Sequence, residues 1–112
     1  MNNMTHTLIS PPIVVTESGD ADVFESVEAA ERYLEPYDVN DLLAYDSTGR
    51  LLRLLPTTPR ITIEAAELVP THEQNALEVL LKFLNEVGVS PQTLKDQSLQ
   101  GLFSIALNYK TK

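Results

Sequence analysis

Near the start of the chain, Ile13, Val14, Val15 and Thr16 form a β-branched run that suits a strand. Glu17-Ser18-Gly19-Asp20 supplies turn chemistry, and Asp22, Val23, Phe24 and Glu25 read as the returning strand of a hairpin. Ser26 is placed to cap a helix running from Val27 to about Glu35. Val27, Ala30 and Leu34 recur on one face of that helix, and Glu28, Glu31 and Glu35 recur on another. Pro36 stops it. Leu42 to Asp46, the turn Ser47-Thr48-Gly49, and Leu51 to Leu55 form a second hairpin, with Gly49 free to take positive φ. Thr57-Thr58-Pro59 breaks the chain. Arg60 to Ala65 then alternates, Ile61, Ile63 and Ala65 pointing one way, as a half-buried strand does.

The remainder is helical in pattern. Thr71 with Gln74 three residues later makes a capping box, followed by the apolar stripe Leu77, Leu80, Leu81, Leu84 and Val87 and by Gly88 at the C′ position. Ser90-Pro91 opens another helical stretch, and the apolar segment Leu99 to Tyr109 forms the last helix. The order β-β-α-β-β-β-α-α predicts an α+β fold: an antiparallel sheet of about five short strands with two to three helices packed on one face. At 112 residues the chain reads as a single domain with a loose lead-in over the first ten residues, long enough to bury roughly two thirds of its unfolded surface.

Composition narrows the chemistry. There is no cysteine, so disulfides and thiolate metal sites are excluded. Met1 to Thr7 is polar and carries no basic residue ahead of an apolar run, and no apolar run nears the ~20 residues of a membrane span. The expectation is a soluble, cytoplasmic protein. Net charge is −8, unevenly spread: residues 1–49 hold ten acids and one base, Arg32, whereas residues 50–112 hold six acids and seven bases. Such a chain lacks the basic footprint that nucleic acid or an anionic membrane needs as a direct partner, and it suits a basic protein.

No catalytic motif stands out. His6 lies in the lead-in, and His72, at the start of a helix, reads as a surface residue without a role. Asp20-Ala21-Asp22 with Glu25 lacks the glycine and terminal glutamate of a calcium loop, so neither metal nor cofactor is expected. What does stand out is an acidic constellation: Asp20, Asp22, Glu25, Glu28, Glu31, Glu35, Asp38 and Asp41, accompanied by Tyr33 and Tyr37. Uncompensated carboxylates repel one another, and a basic partner turns that repulsion into attraction. Tyrosine adds the rigid contact area favoured at interfaces. This reads as a partner-binding face centred on Glu28, Glu31 and Glu35.

The stretches Ile13-Val14-Val15-Thr16-Glu17, Phe24 to Pro36 (FESVEAAERYLEP) and Ala44 to Leu52 (AYDSTGRLL) resemble small bacterial immunity proteins, the antitoxins of contact-dependent inhibition and other polymorphic toxin systems. The resemblance covers about the first half of the chain. It implies a non-enzymatic function: binding and neutralising a cognate toxin domain, often a nuclease, whose basic active site agrees with an acidic face. The family diverges rapidly, so no contact residue is carried over from it. Two other readings remain open, a structural or regulatory interaction module that self-associates through its apolar C-terminal helix, and a small enzyme using paired carboxylates.

Overall fold

The structure is a computed structural model that describes residues 8–17, 20–57 and 60–110, with the side chains of all but Tyr37, Asp38 and Lys110. The residues expected to form the Ser18-Gly19 turn and the Thr58-Pro59 break, His6, and most of the lead-in lie outside the described residues. In chain order the elements are β1 (Ile13–Glu17), β2 (Asp20–Phe24), α1 (Val27–Tyr33), a 3-10 helix (Pro36–Asp41), β3 (Leu43–Asp46), β4 (Leu51–Leu55), β5 (Thr62–Ala65), α2 (Glu73–Glu86), α3 (Pro91–Leu94) and α4 (Leu99–Lys110). The five strands make one antiparallel sheet in the order β2-β1-β3-β4-β5, an α+β fold.

The helices do not share one face of the sheet, as the sequence suggested; they cover both. Successive strand residues point to opposite sides. Ile13, Val15, Phe24, Ala44, Leu52 and Ile63 pack with Val27 and Ala30 of α1 and Val39 of the 3-10 helix. Val14, Val23 and Tyr45 pack on the other side with Ala76, Leu80 and Leu84 of α2 and Leu99, Leu102, Phe103 and Ala106 of α4. The cause is visible in β1: Ile13, Val14 and Val15 are all buried, and an unbroken apolar run marks a strand covered on both sides. Burying each such side chain contributes about 1.5–3 kcal/mol, so the second layer is a large part of the core. The apolar stripe of α4 is spent inside this second layer.

Local signals set most helix ends. The Ser26 hydroxyl accepts the Ala29 N–H at 3.1 Å, and the Ser90 hydroxyl accepts the Thr93 N–H at 3.3 Å with Pro91 at the first turn of α3. Gly88 takes φ +97° just beyond α2. Two expectations change. Helix α1 ends at Tyr33, because Leu34 turns extended (φ −81°, ψ 146°) on the approach to Glu35-Pro36, and proline disfavours helical backbone in the residue before it. The capping box at Thr71 does not form. The N-cap is His72, without a side-chain cap, because the Thr71 hydroxyl donates instead to the Glu67 carboxylate at 2.6 Å, a charge-assisted bond.

That carboxylate belongs to a polar knot joining the β3–β4 hairpin to the start of α2. Asp46 is fully buried. Its Oδ1 accepts from the Thr48 N–H, the Thr48 hydroxyl and the Arg50 N–H at 2.9, 2.6 and 3.0 Å, and its Oδ2 accepts the Ser10 N–H at 3.0 Å. The Arg50 guanidinium lies 3.4 Å from Oδ2 through Nε and donates through Nη1 to the carbonyls of Glu67 and Leu68. Glu67 Oε2 in turn accepts from Leu51 N, Thr71 N and His72 Nδ1 at 2.8, 3.0 and 3.0 Å. Burial pushes the Glu67 carboxyl up, but the bonds from Thr71, Leu51 and His72 outweigh it and hold the group at about 2. His72 therefore has a part in the structure that its sequence position did not show. Gly49 closes the knot at φ +86°, and a Cβ there would sit 2.7 Å from the Glu73 amide nitrogen.

Candidate partner-binding surface

The open end of the β1–β2 hairpin brings carboxylates together by register. Glu17 lies directly opposite Asp20, and Val15 opposite Asp22. Paired residues project to the same face, so Glu17, Asp20, Val15 and Asp22 share the α1 side of the sheet. Like charges directly opposite each other are destabilising by roughly 0.2–1 kcal/mol, and the Glu17–Asp20 pair carries that cost. The Thr16 hydroxyl, donating to the Asp20 carbonyl at 2.8 Å, helps hold the hairpin end closed.

Beside these strands lie two adjoining hollows of about 190 and 420 Å³ that share Glu17, Tyr33, Leu34 and Leu42. The first adds Val15, Asp20, Ala21 and Asp22; the second adds Glu35. The premature end of α1 creates this arrangement. Glu35, which the helical spacing placed in line with Glu28 and Glu31, sits beyond the helix and lines the second hollow together with Glu17. Tyr33 is 63% exposed and its ring lies 5.4 Å from that of Phe24 at 50°, a tilted contact that steadies an otherwise open aromatic. The result is a concave patch with apolar side chains between carboxylates and a tyrosine on its rim.

The anticipated acidic face therefore divides. Asp20, Asp22, Tyr33 and Glu35 meet in the hollows, joined by Glu17, which the sequence reading counted among the acids without placing it at the face. Glu25 and Glu28 are exposed near the start of α1 and Asp41 is exposed in the 3-10 helix, none of them lining the hollows. Glu31 does not serve as a free central carboxylate: its Oε2 accepts the Ile63 N–H at 2.8 Å, tying α1 to β5. The side chains of Tyr37 and Asp38 are outside the described residues.

Arg50, Arg53, His72 and Lys82 pair with Asp46, Glu64, Glu67 and Glu86, all from residue 46 onward, and no ion pair among the described residues reaches Glu17, Asp20 or Glu35. Among the described residues no three acidic or histidine groups converge as a metal site, and no helix is long and apolar enough to cross a membrane. Chemically, the hollows offer carboxylate acceptors around an apolar floor, suited to a side chain with an aliphatic stem and a cationic head.

Compared with known proteins, the chain matches no family model, no curated protein and no solved structure.

Proposed function

We propose that this chain is a cytoplasmic immunity protein, without catalytic activity of its own, that binds a basic toxin domain of the nuclease class and blocks it through the acidic hollows at the β1–β2 hairpin end. The observation that carries this reading is the gathering of Glu17, Asp20, Asp22 and Glu35 around an exposed Tyr33, with a like-charge pair across the strands, Glu17 and Asp20, that makes no ion pair with a described residue. A free chain gains little from such a pair. A nuclease site, built to hold phosphates, supplies the cations that relieve it. The resemblance of the β1, α1 and β3–β4 segments to immunity proteins points the same way.

The test pairs the chain with the C-terminal domain of any large secreted protein found to be encoded beside its gene. Association is followed by surface-immobilised kinetics at low and physiological salt, and protection is followed by growth during co-expression. The combined variant Glu17→Gln, Asp20→Asn, Glu35→Gln is expected to slow association about tenfold at low salt and to erase most of its salt dependence. Glu25→Gln with Glu28→Gln should change little. Unaltered low-salt kinetics in the triple variant would overturn the acidic-hollow reading.

A further inference from the structure

The sheet ends at two edge strands, β2 and β5. An edge strand offers its outward N–H and C=O groups to any strand that can lie beside it. In β5 the outward groups follow from parity. Ala66 N donates to the Leu51 carbonyl of β4 at 2.9 Å, so the even-numbered residues of this stretch turn their backbone groups toward β4. Ile63 and Ala65 turn theirs away from the sheet. The Ile63 N–H donates to Glu31 Oε2 at 2.8 Å, the carboxylate reaching over from α1. No side chain among the described residues takes the Ala65 N–H.

This bond sits where an incoming strand must form one of its own. Residues opposite each other in a hydrogen-bonded antiparallel pair exchange both bonds. A strand laid against Ile63 would bring a carbonyl to an N–H that Glu31 already holds, and two acceptors would meet. Ile63 is fully buried and Glu31 half-buried, so the bond is partly shielded from competing water. The edge is also self-complementary. Its two outward residues are two positions apart, so an antiparallel second copy with Ile63 opposite Ala65 pairs both residues of both strands in one two-fold arrangement. Glu64 would then face its own copy, and Arg53 Nη1, 3.3 Å from its carboxylate, supplies counter-charge on that face.

We infer that Glu31 guards the β5 edge: its carboxylate takes the place of a sixth strand's carbonyl, and what it excludes is β5 of a second copy of this chain. The guard is independent of the acidic hollows, which lie at the other end of the strand order, and it gives one carboxylate of the first half of the chain a role in keeping the protein monomeric.

The test is sedimentation of the full-length chain over a concentration series, with amide exchange at Ile63 and Ala65 followed by NMR. The native chain should stay monomeric, its Ile63 amide exchanging about tenfold more slowly than that of Ala65, as a charge-assisted bond requires. Glu31→Met keeps the length of the side chain and removes the acceptor; it should dimerise as concentration rises, with the Ala65 amide becoming protected in step. Glu31→Gln keeps an acceptor oxygen and should stay monomeric. Adding Ala65→Pro to Glu31→Met removes an outward N–H without touching the β4 ladder, and should restore the monomer. A monomeric Glu31→Met, or a dimer that survives Ala65→Pro, would overturn the guard. If Glu31→Met does not fold, the native chain decides: an Ile63 amide that exchanges as fast as that of Ala65, or a native chain already paired through β5, overturns it equally.

Discussion

Asp46→Asn isolates the polar knot because it changes one atom in a fully buried side chain. Four donors converge on the two carboxylate oxygens, three on Oδ1 and one on Oδ2, with Arg50 Nε 3.4 Å from Oδ2. Arg50 Nε has no other acceptor and does not reach hydrogen-bond geometry even here, so its contact with Asp46 is ionic. An asparagine can present only one oxygen. If that oxygen replaces Oδ1, the new NH₂ faces the Ser10 N–H and Arg50 Nε. In the flipped rotamer it faces the Thr48 and Arg50 amides. Either way donors oppose donors, and the guanidinium, 9% exposed, loses its anion.

Removing one partner of a buried pair costs about 3–5 kcal/mol. Domain stabilities are roughly 5–15 kcal/mol, so about a fifth of the total or more is at stake. In a thermal melt this is a fall of about 12–20 °C, at ~4 °C per kcal/mol for a chain of this size. Urea unfolding followed by far-ultraviolet circular dichroism measures it directly, with an unchanged slope showing that the denatured state is the same. Arg50→Met and the double variant complete a cycle, in which the double should cost less than the two singles combined. A loss below about 1 kcal/mol for Asp46→Asn would refute the reasoning, since that is the size of a solvent-screened surface contact.

Two further outcomes follow from the carboxylates. Glu67 has a folded-state pKa of about 2 against an ordinary 4.5, so its stabilising contribution is complete above the unfolded value and is lost as pH falls through the folded one. Acid titration of stability should therefore be shallower between pH 4.5 and 2 in Glu67→Gln than in the native chain; a parallel acid limb would refute this. Glu17→Gln should stabilise the free chain by roughly 0.2–1 kcal/mol through relief of the Glu17–Asp20 opposition, read by urea midpoint, while slowing capture of the toxin domain; a destabilised free chain would mean that Glu17 has a structural bond.

Much of the architecture was legible because its signals are local. Ser26, Ser90-Pro91, Gly49 and Gly88 each act within a turn or two of chain, and each does what its residue type favours. The two-sided core was legible in principle, since Ile13-Val14-Val15 shows no alternation, but a β-branched run read only for propensity says nothing of which faces are covered. The missed features are those built from distant residues. Glu31 meets Ile63 across 32 positions, and Ser10 meets Asp46 across 36. The hollow beside Tyr45 draws on residues 16, 43, 45, 75, 78, 79 and 82, which no spacing rule links. Glu35 is a different case: Pro36 was recognised as a stop, yet ending α1 at Tyr33 instead of Glu35 takes that residue off the helix stripe and into the lining of a hollow shared with Glu17.

The acids of the first half of the chain consequently do two jobs that a charge count merges. Asp46 and Glu31 spend their oxygens on backbone N–H groups, as Glu67 does farther along, and their negative charge is absorbed by donors the fold supplies. They set shape and add little to the field a partner meets. Glu17, Asp20 and Glu35 make no ion pair with a described residue, and two of them face each other across a strand pair. Folding alone does not favour that arrangement, because the same hairpin would be more stable with one carboxylate neutral. Stability and affinity should therefore move in opposite directions at Glu17, while they fall together at Asp46, where the loss of shape removes the surface. This divergence of sign distinguishes a carboxylate kept for a partner from one kept for the fold, and it can be measured with single-atom substitutions that leave side-chain volume almost unchanged.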